Sequence, residues 1–220
     1  PDIEYGDNPA ATSTDAAGYD HQKNYYVQNN VTLNVDIPWV KGLKFTGTAS
    51  YDKHFYNRKV FNKPVTLYSW DGVTQSSAGL TPYTAWISDP RTYRYDNDYT
   101  DWMANAVLSY DRTFGDHTFG ITAGIEGQKK EMDYLYAYRR YFPSDILTDL
   151  DVGSTTGQAN SGNSYTETRR NYFGRVSYNY KERYLFEFVW REDGSYRFQK
   201  CNRYGYFPGI MAAWRVSEEP

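Results

Sequence analysis

Along most of this chain apolar and polar residues alternate one by one, and no other feature limits the fold as much. Side chains two apart share one face of a β-strand, so this period marks half-buried strands rather than helices. Seven stretches carry it, at about residues 25–37, 43–56, 99–112, 117–129, 169–180, 183–193 and 205–216. In the fourth, Phe119, Ile121, Ala123 and Ile125 alternate with Thr118, Thr122 and Glu126. In the sixth, Tyr184, Phe186, Phe188 and Trp190 alternate with Glu187 and Arg191.

The connections sharpen the expectation. Tight turns at 38–42, 113–116 and 181–182 alternate strictly with long segments at Asn57–Asp98 and Glu131–Thr168. Outer-membrane barrels have this asymmetry, with short periplasmic turns and long outer loops. A sandwich has no reason to gather its long loops on one edge. The reading is therefore all-β, part of a large antiparallel transmembrane β-barrel with long extracellular loops.

Composition agrees. Mean hydropathy is negative, and no apolar run approaches the roughly 20 residues of a membrane helix. Barrel strands keep a low average because lumen-facing residues dilute lipid-facing ones. Aromatics make up 19% of the chain, with 24 Tyr, which argues against disorder. Trp39, Tyr110, Phe114, Tyr178, Tyr180 and Tyr184 suit one membrane-boundary girdle; Tyr51, Phe55, Tyr99, Trp102 and Trp190 suit the other. A net charge of −3 speaks against nucleic acid as a partner. The single Cys201 excludes an internal disulfide framework.

No catalytic constellation stands out. His21, His54 and His117 are scattered, and neither a nucleophile elbow nor a P-loop occurs. Glu187 with Glu192 and Asp193 lacks an opposed sugar cleft, so an enzyme is not expected. No cofactor is expected either. Two acidic clusters, Asp96 and Asp98 with Asp101, and Asp145 with Asp149 and Asp151, suggest loop-bound calcium but lack EF-hand spacing. Arg175, Glu187 and Arg191 read as lumen-facing charges. Trp70, Trp86, Tyr93, Tyr136, Tyr138, Arg139 and Arg140 fall in the long segments and read as ligand or partner contacts, because aromatic faces and Arg forks hold polar organic molecules. The tract Gly153–Ser164 and the first twenty residues read as flexible polar segments.

The C-terminal residues carry a motif. Arg191-Glu192-Asp193-Gly194-Ser195-Tyr196-Arg197-Phe198 is followed by Asn202-Arg203-Tyr204-Gly205-Tyr206-Phe207-Pro208-Gly209 and then Trp214-Arg215-Val216-Ser217-Glu218-Glu219. This run resembles the signature of SusC/RagA-like TonB-dependent outer-membrane transporters: R-x-D-G-S-x-R-F, N-R-x-G-Y-F-P and W-R-[IV]-S-E-E. It departs from the pattern only at Tyr196, Cys201 and Gly209. Arg169–Arg175 and Tyr184-Leu185 extend the likeness; the earlier strands fit the architecture without a motif.

The resemblance implies a barrel of the 22-stranded class in the outer membrane of a Gram-negative bacterium, contacting outer-membrane lipid. It implies active import of an oligosaccharide or a peptide. The implied partners are a SusD-like surface lipoprotein and the TonB complex, reached through an N-terminal part. Residues 1–220 are then expected to be a piece of the barrel domain, with plug, TonB box and barrel closure elsewhere. A secreted carbohydrate-binding β-sandwich is the alternative. Pro208 is expected near the outer end of the seventh strand with a bulge at Gly209, because proline cannot donate to a ladder.

Overall fold

The computed structural model describes Asn8–Glu219. Strands dominate: β1 (Gly18–Asp36), β2 (Leu43–Asn62), β3 (Val65–Trp70), β4 (Leu80–Ala85), β5 (Arg91–Phe114), β6 (His117–Arg140), β7 (Ser154–Tyr180), β8 (Tyr184–Ser195) and β9 (Tyr204–Trp214). Seven form one sheet in the order β1-β2-β5-β6-β7-β8-β9, and β3 pairs with β4 in a separate hairpin. Each sheet strand thus lies beside its sequence neighbour, the hairpin apart. Among the described residues the strands make one seven-stranded sheet and one two-stranded hairpin rather than two comparable sheets, so a β-sandwich is not favoured. No helix among the described residues is long and apolar enough to cross a membrane.

The tight turns form as the sequence predicts. Lys181 and Glu182 both have positive φ, 53° and 56°, as the twist-matched type I′ hairpin requires. Lys181 N–H donates to the Asp116 carbonyl at 2.8 Å, which ties two tight turns to one edge.

The long segments differ from expectation. Strands β2, β5, β6 and β7 run well past the expected ends. Gly153–Ser164, read as a flexible tip, lies almost entirely within β7. The segment Asn57–Asp98 contains the end of β2, the β3–β4 hairpin and the start of β5. Backbone pairing with a neighbouring strand overrode a composition that favours loops. Of the first twenty residues, 1–7 lie outside the described set. Pro9–Thr12 form a helical turn capped by the Asn8 side chain, and β1 begins at Gly18.

Two compact units divide the chain: Pro1–Tyr25 with His54–Asp98 and Asp133–Ser164, and Tyr26–Lys53 with Tyr99–Met132 and Tyr165–Pro220. The first holds every buried apolar residue found: Ala17, Phe61, Val65, Ala85 and Phe142. Phe61 meets Phe142 edge-on at 5.7 Å, and Tyr19 lies 5.9 Å from Phe61.

Among the described residues the second unit shows no such core. Its apolar residues, Val31, Leu33, Leu108, Ile121, Ile125, Phe186 and Ile210 among them, are exposed on one face of the sheet. Its polar residues pair on the other face: Thr46 with Asn34, Asn171 with Glu126, Gln128 with Asp101. A sheet that bonds polar side chains inward and shows its aliphatic ones outward suits lipid as its solvent. Glycines fit the scheme. A Cβ on Gly174, on the apolar face, would meet the Trp190 indole at 2.2 Å, and one on Gly124, on the polar face, would meet the Phe173 ring at 2.3 Å. Tyr99 departs from the girdle assignment. It shares the polar-face parity of Asp101 and lies near Lys130, whereas Trp102 meets Tyr51 at 4.4 Å on the apolar face.

Pro208 also departs from expectation. It is fifth of eleven residues in β9 and pairs with Trp190 in a register unbroken from Tyr184↔Trp214 to Gly194↔Tyr204. Neither a strand-end position nor a bulge at Gly209 exists. The ladder explains the tolerance. Arg215 N–H donates to Arg183 and Ser195 N–H to Arg203, so odd-numbered β9 residues carry the bonds to β8. Pro208 belongs to the even set, whose nitrogens point away from β8 toward the edge of the described sheet, so no β8–β9 bond is lost.

Candidate functional site

In the first unit β5 and β6 set tyrosines opposite each other on one face of their pair. Tyr93 stands 4.8 Å from Tyr138, and Tyr95 stands 5.1 Å from Tyr136, ring centroid to centroid. Along β5, Tyr93 and Tyr95 are nearly parallel, 9° apart, because residues i and i+2 share a face. The result is a two-by-two patch of half-buried rings. Partial burial pushes the phenols of Tyr95, Tyr136 and Tyr138 up, so they remain neutral donors at physiological pH.

Charged residues border the patch. On β2 the Arg58 guanidinium lies 5.5 Å from the Tyr95 centroid. It is held by Asp20 of β1 through Nε at 2.9 Å and Nη2 at 2.6 Å. One rung beyond Tyr93 and Tyr138 stand Arg91 and Arg140, and both reach Asp89. Arg140 grips Asp89 with two nitrogens, Nε at 3.0 Å, and Arg91 donates at 3.2 Å. Ser88 Oγ adds a bond of 2.9 Å. Asp89 is buried, yet the Arg140 bond holds its carboxyl below the usual carboxylate range against the opposing effect of burial. This cluster fixes the chain on both sides of Pro90. Thr92 Oγ1 donates to the Thr148 carbonyl, and Tyr19 meets the Thr148 hydroxyl at 2.6 Å, fastening the 141–153 loop as well.

The residues singled out from sequence therefore separate. Tyr93, Tyr136, Tyr138 and Arg140 come together. Arg139 turns the other way and bonds the Gly153 carbonyl at 3.2 Å, bracing a loop instead. Trp70 sits on the β3–β4 hairpin with its indole N–H on the Thr74 carbonyl at 2.7 Å, away from the patch. Trp86, half-buried, takes φ of 72° just past β4.

Sequence reasoning missed Arg58, Asp20 and Asp89, and it left Tyr95 out of the predicted site. A signal was there: Tyr93-Arg94-Tyr95 and Tyr134-Leu135-Tyr136-Ala137-Tyr138 alternate with period two inside segments read as loops.

In the second unit the charges read from sequence as lumen-facing form two separate pairings. Arg175 pairs with Glu187, and Arg191 lies 2.5 Å from Asp193 and 4.0 Å from Glu126. Residues of the two acidic clusters make hydrogen bonds and ion pairs with cations and amides. Asp96 accepts from Asn57, Asp101 from Gln128, Asp145 from Lys63 and Asp149 from Lys59. Among the described residues no group of three or more His, Cys, Asp or Glu is arranged to hold a metal.

Comparison with known proteins gives the chain its relatives. No family model matches the chain. TonB-dependent receptor P3 of Formosa agariphila is 29% identical over 97% of the chain and 19% of its own length. TonB-dependent receptor SusC of Bacteroides thetaiotaomicron is 28% identical over the whole chain and 20% of its own length. Among solved structures, the RagAB peptide importer in its closed-closed state superposes with a TM-score of 0.72 at 18% identity, covering 91% of this chain and 21% of that one, a likeness of fold. The chain spans about a fifth of the length of the curated relatives it matches. Strand pattern, C-terminal motif and these relatives agree: the chain is similar to part of the barrel of SusC/RagA-like TonB-dependent receptors, which are outer-membrane proteins of Gram-negative bacteria.

Proposed function

We propose that residues 1–220 form part of the barrel wall of a receptor that imports an oligosaccharide across the outer membrane. The import is driven through TonB, and a SusD-like surface lipoprotein acts as partner and lid. The observation that carries this reading is the tyrosine patch of β5 and β6, with its paired cations. Pyranose rings present C–H faces that lie on aromatic rings, while phenol hydroxyls and Arg forks reach the ring hydroxyls. Arg58 is matched by Asp20, while Arg91 and Arg140 share Asp89, so the guanidinium forks beside the rings are largely held within the wall and one net positive charge remains. In the second unit Arg175 with Glu187, and Arg191 with Asp193, add polar, paired charges suited to a lumen-facing surface. The relatives are receptors and a transporter, and the chain works by binding and passage rather than by bond-breaking chemistry.

The test is calorimetric binding of oligosaccharide and peptide panels to the full-length receptor with its partner lipoprotein. Tyr93→Ala with Tyr136→Ala removes two rings worth about 0.5–1.5 kcal/mol each, so sugar affinity is expected to fall roughly 5- to 150-fold. Unchanged sugar affinity in the double variant, or binding of peptides alone, would overturn the reading.

A further inference from the structure

The second unit carries a trough on its apolar face, the face that meets lipid. Its volume is about 670 Å³. Small residues make the floor: Ala49, Ala104, Gly127 and Gly194. A Cβ on Gly194 would strike the Tyr204 ring at 2.5 Å, so this glycine lets the ring lie flat against the sheet as one wall. Trp102, exposed and tilted against Tyr51, borders the trough as well. Above Gly127 nothing lies within 4 Å of a Cβ position; the trough is open there.

Cations rim this apolar hollow. Arg170 stands directly opposite Gly194 in the β7–β8 register. Its guanidinium has no carboxylate partner among the described residues. Arg203 lines the trough with a buried Nε that has no hydrogen-bond acceptor. Lys129 joins them, paired to Glu131 at 2.7 Å. Glu192 stands one rung toward the tight-turn end, opposite Tyr172 and Tyr206. An unpaired guanidinium beside an apolar floor matches an amphiphile with an anionic head, because Arg binds phosphate through its fork.

Depth in the membrane selects which amphiphile. Gly127 lies roughly ten residues along β6 from the tight turn at 115–116. At about 3.4 Å per residue and a strand tilt of about 40°, that is roughly 26 Å, close to the ~25 Å apolar band of such barrels. The trough therefore opens at the outer boundary of the membrane.

We propose that this trough is a docking site for lipid A, the phosphorylated glycolipid of the outer leaflet. Its acyl chains lie along the Ala49–Ala104–Gly127 floor, and a phosphate sits between Arg170 and Arg203. This rests on the membrane placement of the sheet and is independent of the cargo.

The experiment uses the full-length receptor extracted in mild detergent and read by native mass spectrometry with fatty-acid analysis. The wild type should retain one lipid A per receptor. Gly127→Phe, which fills open space, and Arg170→Gln should each lower that occupancy at least tenfold. Ile121→Phe, elsewhere on the apolar face, should leave it unchanged. If Arg170→Gln fails to fold by gel mobility, Gly127→Phe decides alone. A wild type that retains no lipid, or only zwitterionic phospholipid, overturns the proposal, as does equal lipid A in wild type and Gly127→Phe.

Discussion

Replacing Ile121 by arginine tests the facing of the whole sheet. Ile121 is 46% exposed on the apolar face, between Phe119 and Ala123. It lies about four residues along β6 from the tight turn, roughly 10 Å above it for a strand tilted about 40°, near the middle of the apolar band. Arginine at such a depth costs about 2–4 kcal/mol, equivalent to roughly a 30- to 900-fold shift in the folding equilibrium. Thr122, the next residue, points to the polar face, where a cation meets other polar groups. The nearby Arg175 is already paired with Glu187, so Thr122→Arg should cost no more than about 1 kcal/mol. The assay is equilibrium unfolding of the full-length receptor in lipid vesicles, followed by the gel-mobility change of folded barrels. Ile121→Arg should lose most of its folded fraction at a denaturant concentration where Thr122→Arg keeps nearly all. Equal losses, or a greater loss for Thr122→Arg, would refute the lipid-facing assignment.

Two further outcomes follow from particular contacts. Asp89 has a carboxyl pKa held below the ordinary value by Arg140, so its stabilising effect is complete above about pH 4 and is lost only as pH falls through the lower, folded-state value. Hydrogen exchange in the 141–153 loop should stay slow from neutral pH down to that point in the wild type, whereas Asp89→Asn should speed it at neutral pH; a wild-type loop that loosens already near pH 6 would count against the Asp89 anchor. Pro208 donates nothing to β8 and packs opposite Trp190, so Pro208→Val should leave stability within about 0.5 kcal/mol, and a large loss in thermal unfolding would show that the proline itself is needed.

Strand identity was readable where alternation coincides with a change of chemistry. In β6 the set Phe119, Ile121, Ala123, Ile125 is aliphatic or aromatic and its neighbours are polar or glycine, so one pattern reports both conformation and facing. The same period in Tyr134, Tyr136 and Tyr138 was harder to use, because tyrosine suits a rim, a loop or a strand equally. Gly153–Ser164 gave no pattern at all; its strand is held by backbone bonds to a neighbour, and backbone bonding is indifferent to side chains. Pro208 misled for a related reason. A proline forbids a donor, and whether a donor was needed depends on which neighbour its nitrogen faces.

By itself the sequence determined the all-β class, the tight turns, the family likeness and the two-faced character of the second unit, because each is a local property of spacing and residue type. Only the tertiary structure decided that Tyr93 and Tyr95 meet Tyr138 and Tyr136, that Asp89 binds both Arg91 and Arg140, and that Arg139 does not join them. Those groupings depend on strand register, and a shift of one residue would send every such side chain to the opposite face.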